Sequence, residues 1–429
     1  MILQTLNIIM DTTTQFGGEF MDIITPNEID RIMDWISGIT DKPGMKGTTR
    51  LLYSESWKKA QEALKELFEK DGMKVEFDAV GNMFATIEGS EQPESIIATG
   101  SHVDTVVNGG RLDGQLGIMA GYLAVKSLIE KYGQPKKSLR IISMAEEEGS
   151  RFPYVFWGSK NIFGLAKKED VENITDGAGV SFEKAMHDAG FDYLDSEPKF
   201  NDMESFIELH IEQGNFLENL NLKVGVVNAI VGQKRYTVTL KGEANHAGTT
   251  LMGYRHDVID CYAKIVSDVI DEAKRLGDPL VVTFGNVSVK PNVVNVVPGE
   301  MEFSIDTRHT DQEALDQFAA YIEKTIEKYA TERGISFDIN NWMNESPVPM
   351  DEKIVKVIEG VCEENKLDYK VMHSGAGHDS QIFAPRVPTA MIFVPSIKGI
   401  SHNPEEHTEA VDIVQGVQAL EAALKELAY

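Results

Sequence analysis

The chain contains little cysteine for its length. Two cysteines are present among 429 residues, Cys261 and Cys362, which is too few for a framework of disulfide bonds. Each lies in a stretch with helical periodicity and has no metal-binding or redox motif around it, so we predict that both are core residues. Because disulfides are rare in reducing compartments and common in oxidising ones, this sparing use of cysteine favours a cytoplasmic location.

Positive charge and long apolar runs are also scarce. Lysine and arginine number 41 against 68 aspartates and glutamates, which gives a formal net charge of −27. Such an acidic chain argues against nucleic acid and anionic membranes as partners, although arginines within a site can still bind a small anionic substrate. No apolar run is long enough to span a bilayer, and residues 1–10 lack the basic start and small-residue cleavage site of a signal peptide.

What is present indicates an α/β protein with a large core. Apolar residues make up 42% and charged residues 25% of the chain, which is typical of a globular protein with two or three domains. Thr25 and Glu28 form a capping box with proline at the first helical position, so we expect ordered structure to begin near Thr25 and residues before about 22 to be dispensable. Apolar strands and amphipathic helices then alternate, with predicted strands at 74–78, 83–87, 96–99 and 138–145 and predicted helices at 57–70 and 117–132.

A different pattern occupies the middle of the chain. Beyond residue 227 the predicted elements follow the order β-α-β-β-α-β, at 235–240, 257–276, 280–289, 300–307, 311–333 and 336–341. This order is a complete split βαβ sandwich, and its first and last strands give it the neighbouring termini that a domain insertion requires. We therefore predict one domain formed by residues 22–228 and 344–429, with a second domain, residues 229–343, inserted into it.

Polar residues follow the buried strand at 96–99. His102, Asp104 and Asp113 lie in a glycine-rich loop that precedes a predicted helix, which is where open α/β sheets build their sites. His102 and Asp113 offer a nitrogen and a carboxylate, ligand types that suit zinc or manganese, and Asp104 is placed to orient the His102 ring. Alone, such a loop is typical of a solvated turn. Matching ligand types at three later strand ends favour a metal site.

Each of these later strand ends also has a simpler interpretation. Glu146, Glu147 and Glu148 follow the strand at 138–145 and form either a solvated acidic turn or a metal ligand beside a general base. His210 lies in an apolar strand and is either a hydrogen-bonded core histidine or a ligand. His402, in a loop bounded by glycine and proline, is either a surface residue or the last ligand.

Taken together, these candidate ligands favour the interpretation as a metal site. Five ligands fit two metal ions if Asp113 bridges them, and Glu147 is then placed to accept a proton from water and pass it to the leaving nitrogen. The predicted ligands are His102, Asp113, Glu148, His210 and His402. An aromatic segment at 152–163 either lines a pocket or packs beneath the site, and the sequence leaves both open.

Several motifs carry a family resemblance. The chain resembles the M20-type metallohydrolases, the dinuclear metallopeptidases of the aminoacylase and glutamate carboxypeptidase type, and within them the amidase/hydantoinase/carbamoylase subfamily. The resemblance extends from about Thr25 to the end of the chain. It rests on Gly100-Ser101-His102-Val103-Asp104, Leu112-Asp113-Gly114, Glu147-Glu148-Gly149-Ser150-Arg151-Phe152, Glu208-Leu209-His210-Ile211-Glu212-Gln213-Gly214, Asn245-His246-Ala247-Gly248, Ser374-Gly375-Ala376-Gly377-His378-Asp379 and Ser401-His402-Asn403-Pro404.

The resemblance implies both a fold and a metal centre. The fold would be a Zn-peptidase-like α/β catalytic domain with a mixed sheet and flanking helices, plus an inserted βαββαβ ferredoxin-like dimerisation domain. Each subunit would hold two divalent metal ions, zinc or manganese. One ion would take Asp113, Glu148 and His402, and the other would take His102, Asp113 and His210. A histidine at position 210, where the peptidases carry a carboxylate, is a mark of this subfamily.

The resemblance also implies catalytic roles. Glu147 would be the general base, with Asp104 beside it as a further catalytic residue, and the peptide bond after Asp113 would be cis. His246 would cross from the second subunit of a homodimer to stabilise the oxyanion. Without the resemblance His246 is a turn residue. Leu251 stands where the family usually has proline, which loosens the loop that carries His246 but removes no functional group.

Six residues would hold the substrate according to the resemblance: Gln213, Asn295, Arg308, Gly375, Ala376 and Gly377. Arg308 is our choice for a substrate carboxylate, because a guanidinium binds a carboxylate through two parallel hydrogen bonds. Without the resemblance, Arg308 is an exposed or ion-paired strand residue and Asn295 caps a turn.

The implied activity is hydrolysis of a C–N bond in a small anionic ureido compound. Within the subfamily, the runs 146–160 and 371–382 favour allantoate, which would give ureidoglycine, ammonia and carbon dioxide. The alternative is an N-carbamoyl-L-amino acid hydrolase or a ureidopropionase-like enzyme, which would share every catalytic residue. A metal-stabilised dimeric binding protein without turnover belongs to a different class, and the full set of candidate catalytic residues argues against it. His210 argues against an exopeptidase.

Overall fold

A computed structural model describes residues 22–194 and 198–429. The expectation that residues before about 22 are dispensable lies outside the described residues. The predicted first helix is confirmed, with Thr25 Oγ1 accepting a hydrogen bond from the Glu28 backbone N–H at 3.3 Å. Across the described ranges, every helix is either too short or too polar to cross a membrane.

The helices and strands are numbered in chain order. The α-helices are α1 Pro26–Ser37, α2 Glu55–Lys70, α3 Gln115–Tyr132, α4 Trp157–Ile162, α5 Lys168–Val171, α6 Phe182–Ala189, α7 Phe216–Leu220, α8 Val258–Leu276, α9 Gln312–Glu332, α10 Glu352–Glu364, α11 Ser380–Phe383 and α12 Ala410–Ala428. The strands are β1 Lys74–Phe77, β2 Met83–Ile87, β3 Gln92–His102, β4 Lys137–Met144, β5 Ser205–Ile211, β6 Val224–Ile230, β7 Gly232–Lys241, β8 Asn245–His246, β9 Val281–Lys290, β10 Val296–Val297, β11 Glu300–His309, β12 Ser336–Glu345, β13 Val348–Pro349, β14 Tyr369–Ser374 and β15 Thr389–Val394.

The main sheet is mixed and runs in the order β1-β2-β4-β3-β5-β15-β6-β13, with β14 paired to β6. Its four central strands, β4, β3, β5 and β15, are parallel to one another. The carboxyl ends of these four strands therefore meet at one edge of the sheet, which is where ligands bind in open α/β sheets. This confirms the predicted α/β class with a mixed sheet and flanking helices.

Helices cover both faces of this sheet. On one face α3 and α12 pack on the central strands, and on the other a smaller cluster joins α11 to β5 through Phe383 and Phe206. Every residue of β5 is buried, as expected for a parallel strand covered on both faces. At Gly416 the backbone of α12 comes so close to β15 that an added Cβ would overlap the Cγ1 atom of Val394.

A second, antiparallel sheet is formed by residues 232–345 in the order β12-β7-β11-β9. The helices α8 and α9 fall between its strands in sequence, so the order is β-α-β-β-α-β as predicted. This sheet and its two helices share a separate hydrophobic core that includes Tyr236, Ile265, Phe303 and Ile322. The division into domains at 22–228, 229–343 and 344–429 stays a prediction, as does dimerisation through the inserted segment.

Candidate metal centre and active site

The five predicted metal ligands all lie at the carboxyl ends of the four central parallel strands. His102 is the last residue of β3, and Glu148 follows β4 in the next turn. His210 lies near the end of β5, directly opposite Phe393 of β15. Asp113 belongs to the loop between β3 and α3, and His402 to the loop after β15. The structure therefore brings together residues separated by up to about 300 positions in sequence, as the strand-end argument predicts.

Asp113 faces two different groups of ligands with its two carboxylate oxygens. Its Oδ1 lies 3.2 Å from His210 Nε2 and 3.9 Å from His102 Nε2. Its Oδ2 lies 3.1 Å from His402 Nε2, and Glu148 Oε1 lies 3.4 Å from the same nitrogen. Within each of the two groups, the ligand atoms all lie within 4.8 Å of one another. This arrangement matches a carboxylate shared between two cations.

The donor set fits two divalent metal ions. Imidazole nitrogens and carboxylate oxygens are the ligands that zinc and manganese accept. The buried Glu148 Oε1 has no hydrogen-bond partner in the described part of the chain, although it faces the other ligands. Burial and the negative charge of Asp113 raise the pKa of Glu148 to about 7. Cations between these groups would remove that repulsion, so the residues support a dinuclear divalent metal site.

Neighbouring groups fix the rings of both buried histidines. His102 Nδ1 lies 3.1 Å from the Asp104 carboxylate and 3.1 Å from its backbone oxygen. His210 Nδ1 lies 3.0 Å from the Ile211 carbonyl oxygen, and its Nε2 accepts from the Gly114 backbone N–H at 3.2 Å. In both rings Nδ1 lies against an oxygen atom, so Nε2 is the nitrogen that faces Asp113 and the metal centre. Such hydrogen bonds orient metal-binding histidines.

Asp104 links three parts of the site. Besides facing His102, its carboxylate accepts from the backbone N–H groups of Glu147 at 3.0 Å and Glu148 at 3.2 Å. Asp104 is almost fully buried, so these bonds are shielded from water. The Asp104 carboxylate thus holds the predicted metal ligand His102. It also holds the turn that carries Glu147, the predicted base, and Glu148, another predicted ligand.

Glu147 lies within reach of this cluster. One of its carboxylate oxygens is within 4.8 Å of ligand atoms of His102 and Glu148. Burial raises the pKa of Glu147 well above its usual range, the positive form of His102 opposes that rise, and the charge of Glu148 adds to it. A carboxylate with a raised pKa binds a proton more readily, which suits a general base that must hold a proton during the reaction.

The predicted substrate residues fall into three places. Gln213 joins the metal centre, since its Nε2 donates to Asp113 Oδ2 at 3.2 Å. Arg308, on β11 of the second sheet, donates from Nη1 to the Gly375 carbonyl oxygen at 2.6 Å. The run Gly375, Ala376 and Gly377 therefore meets Arg308 between the two sheets, beside a cavity of about 360 Å³.

His246 and Asn295 lie together in the second part of the chain. They are exposed at the short β8–β10 ladder, where the Asn295 carbonyl oxygen accepts from the Ala247 backbone N–H at 3.0 Å. Among the described residues, no hydrogen bond or ion pair joins either side chain to the five metal-ligand candidates. Their roles stay predictions, as does the crossing of His246 from a second subunit.

One expectation about the backbone is wrong. The peptide bond after Asp113 is not cis, since the cis bonds among the described residues are Asp278–Pro279 and Lys290–Pro291. The turn is made by Gly114, whose φ is 67°. A cis bond before a residue other than proline costs about 3 kcal/mol, whereas glycine adopts positive φ without a steric penalty.

The aromatic segment packs in the core and also lies against the predicted substrate loop. Phe152 and Trp157 are buried and pack in the core. Phe156 is half-buried, and its ring lies against Gly377, next to the predicted substrate loop. The backbone N–H of Phe156 donates to the Glu147 carbonyl oxygen at 3.1 Å, which ties this segment to the acidic turn.

Sequence reasoning missed the role of Glu208. This fully buried residue accepts from Ser101 Oγ at 2.7 Å and from Ser380 Oγ at 2.6 Å. It thereby joins β5 to β3 next to His102 and to the start of α11. A sequence signal existed, because a carboxylate within a largely apolar strand, which is expected to be buried, must find polar partners.

Histidines and carboxylates gathered at the carboxyl edge of a mixed α/β sheet define a metal-dependent hydrolase. The chain belongs to the peptidase family M20/M25/M40, whose family model matches residues 98–426. The predicted family resemblance is thus confirmed, and with it a hydrolase acting on C–N bonds.

The particular relatives are amidohydrolases. The chain is 51% identical to the allantoate amidohydrolase of Escherichia coli (strain K12), over 94% of this chain and 98% of that protein. It is 33% identical to the N-carbamoyl-L-amino-acid amidohydrolase of Paenarthrobacter aurescens, over 89% of this chain and 93% of that protein. Among solved structures, an amidase of the hydantoinase/carbamoylase family from Burkholderia multivorans matches with a TM-score of 0.89 and 28% identity, over 94% of this chain and 98% of that one.

Proposed function

We propose that this chain is a dinuclear metal-dependent amidohydrolase that converts allantoate and water to ureidoglycine, ammonia and carbon dioxide. The observation that carries the choice of substrate is the 51% identity to an allantoate amidohydrolase over nearly the full length of both chains. The arrangement of Asp113 between two ligand groups supports the dinuclear chemistry.

The chain's own residues supply the proton transfers. Two divalent cations held by His102, Asp113, Glu148, His210 and His402 would polarise the ureido carbonyl and lower the pKa of a water molecule. Glu147 accepts a proton from the attacking water and delivers it to the leaving nitrogen. The C–N bond breaks to give ureidoglycine and a carbamate, which decomposes to ammonia and carbon dioxide. Asp104 holds His102 and the backbone of Glu147 in place.

Substrate recognition is assigned to residues around the cavity and the metal centre. Arg308 binds the substrate carboxylate, and Gln213 with the loop Gly375, Ala376 and Gly377 binds the ureido group. Asn295 and His246 come from the second subunit of a homodimer that forms through the inserted domain, residues 229–343. Among the described residues, no hydrogen bond or ion pair joins His246 or Asn295 to the metal-ligand candidates of their own chain, which supports this assignment because a partner would then bring them there.

Four further proposals complete the function. The cations are zinc or manganese, both of which accept this donor set, so that availability selects between them. The enzyme acts in purine nitrogen catabolism, where allantoate is broken down. It works in the cytoplasm, as the cysteine content favours. Nucleic acid is not a partner, because the net charge of −27 would repel it.

The alternative substrate is an N-carbamoyl-L-amino acid. The 33% identity to a hydrolase of such compounds supports this second candidate, and the same catalytic residues would serve it. A turnover assay of both substrates with the same metal-loaded protein discriminates between them. Faster ammonia release from allantoate is expected. Turnover of N-carbamoyl amino acids without turnover of allantoate would overturn the choice of substrate.

Glu147→Gln tests the proposed chemistry. We expect the rate of allantoate hydrolysis to fall by about 10²- to 10⁴-fold, because the amide cannot accept the proton. Metal content, measured by elemental analysis, is expected to stay at the wild-type value. Glu364→Gln, an exposed residue of α10, is the matched control and should leave the rate unchanged. Retention of the wild-type rate in Glu147→Gln would remove this residue from the mechanism.

A further inference from the structure

Glu406 is a buried carboxylate beside the bridging position of the metal centre. It lies four residues after His402, and only 6% of it is exposed to solvent. Its Oε1 accepts hydrogen bonds from the backbone N–H groups of Leu112 at 2.8 Å and Asp113 at 3.2 Å. Glu406 therefore binds the main chain of Asp113, the residue whose side chain faces both ligand groups.

The other carboxylate oxygen of Glu406 reaches the same residue through Ser401. The Ser401 Oγ lies 3.3 Å from Glu406 Oε2 and 3.2 Å from Asp113 Oδ2, and it accepts from Gln213 Nε2 at 3.2 Å. Main chain and side chain of Asp113 are thus both connected to Glu406. Through the described hydrogen bonds, no other predicted metal ligand has both its main chain and its side chain connected to one further carboxylate in this way.

Gly110 shows how closely the two loops fit. A Cβ atom added to Gly110 would overlap the carboxylate of Glu406. The loop that leads to Asp113 can therefore approach the loop that carries His402 only because position 110 has no side chain. This packing therefore holds the loops of Asp113 and His402 together, two predicted ligands of the same metal ion that are far apart in sequence.

We propose that Glu406 is a positioning residue for the metal centre, which fixes the backbone of Asp113 so that its carboxylate can face both cations. This proposal rests on the dinuclear site proposed above. A bridging carboxylate must present its two oxygens in two directions, so small rotations of its backbone move it off one cation. Backbone N–H groups at this loop have no sheet partner, and Glu406 supplies the acceptor that keeps them in place.

Metal titration of four variants tests this proposal. Calorimetry with Mn²⁺ added to metal-free protein measures affinity and stoichiometry without any substrate. In Glu406→Ala we expect the affinity at one or both sites to fall by about 10- to 100-fold, the range typical of groups that orient metal ligands. Glu406→Gln keeps one acceptor oxygen, so its affinity for Mn²⁺ should fall less than that of Glu406→Ala. Gly110→Ala leaves Glu406 present but displaces it, and should resemble Glu406→Ala.

Glu405→Gln is the matched control. Glu405 is the adjacent glutamate, is exposed and pairs with Lys46 at the surface. The affinity of the Glu405→Gln variant for Mn²⁺ should therefore equal that of the wild type. Electron paramagnetic resonance adds a signature that a general loss of stability would not produce. With two equivalents of Mn²⁺, the wild type should give the spectrum of a coupled pair, and Glu406→Ala should give the spectrum of separate ions.

Wild-type affinity and a coupled spectrum in Glu406→Gln and Gly110→Ala would overturn the proposal, even if Glu406→Ala failed to fold. The thermal melting of the metal-free variants shows which of them fold. Because the readouts need no substrate, a wild-type protein that binds two Mn²⁺ ions but does not hydrolyse allantoate would contradict the proposed function and leave the role of Glu406 standing.

Discussion

Cys261 and Cys362 show how burial controls the chemistry of single side chains. They lie in α8 and α10, and neither has any surface in contact with solvent. Burial raises the pKa of Cys261 to about 11 and that of Cys362 to about 12. The prediction that both are core residues is confirmed. Because the thiolate is the nucleophile, these thiols are poor targets for oxidants and alkylating reagents.

Alkylation of the native protein tests this. At pH 8 the thiolate fraction of Cys261 is about one in a thousand, so we expect iodoacetamide to modify neither cysteine over the time in which a free peptide thiol reacts fully. Mass spectrometry of tryptic fragments measures the modification. After unfolding in guanidinium chloride both sites should react. Rapid labelling of the folded protein at either site would contradict the assigned burial.

At the scale of elements, the close contact between α12 and β15 positions the loop that carries His402. Gly416 allows this contact, since a Cβ there would overlap Val394 Cγ1 and lie 3.3 Å from Leu209 Cδ1, next to His210. Gly360, in α10, has open space around the corresponding position. The same substitution in two helices therefore meets opposite surroundings.

We expect Gly416→Ala to destabilise the protein by about 1–3 kcal/mol through overpacking. Gly360→Ala should instead stabilise it by about 0.5–1 kcal/mol, because alanine loses less backbone entropy in a helix. Urea denaturation of the metal-free protein measures both changes. Equal shifts of the two midpoints in the same direction would show that the space around the Cβ does not govern the outcome.

The elements that could be predicted from the sequence are those with a local signal. β4 and β5 are short apolar runs, and α8 and α9 have helical periodicity with aspartate caps at their starts, so both kinds were found. β6 and β14 were not predicted, because Gly225 interrupts one and polar side chains fill the other, and each needs a partner that is distant in sequence. Likewise, the five ligands lie at or after strand ends, whereas Glu406 binds a backbone N–H that is 294 residues away. No local pattern encodes such a contact.

At the scale of the whole molecule, Arg308 connects the second sheet to the main one. Its guanidinium is held by Asp306, with Nε 2.9 Å from Oδ1 and Nη2 3.2 Å from Oδ2, and Nη1 donates to Gly375 on the other side of the cavity. Arg235 also binds Asp306, at 2.8 Å, but its guanidinium lies over the ring of Trp342 instead. Both arginines therefore bind the Asp306 carboxylate, but only the Arg308 guanidinium also reaches Gly375.

We expect Arg308→Gln to raise the KM for allantoate more than it lowers kcat. A charge-assisted hydrogen bond is typically worth about 1.5–3 kcal/mol, which corresponds to about 10- to 100-fold in kcat/KM. Arg235→Gln is the matched control and should change kcat/KM by a much smaller factor. Steady-state kinetics of both variants gives the comparison, and equal losses would indicate that Asp306, rather than a direct contact with substrate, sets the effect.

The order of the ligands along the chain has a consequence for biosynthesis. His102, Asp113 and His210 precede the segment that forms the second sheet, and His402 follows it. A ribosome therefore releases the first set of three ligands more than a hundred residues before the last member of the other set. During synthesis the first set of ligands is therefore complete before the second sheet is made, whereas the second set is complete only after it.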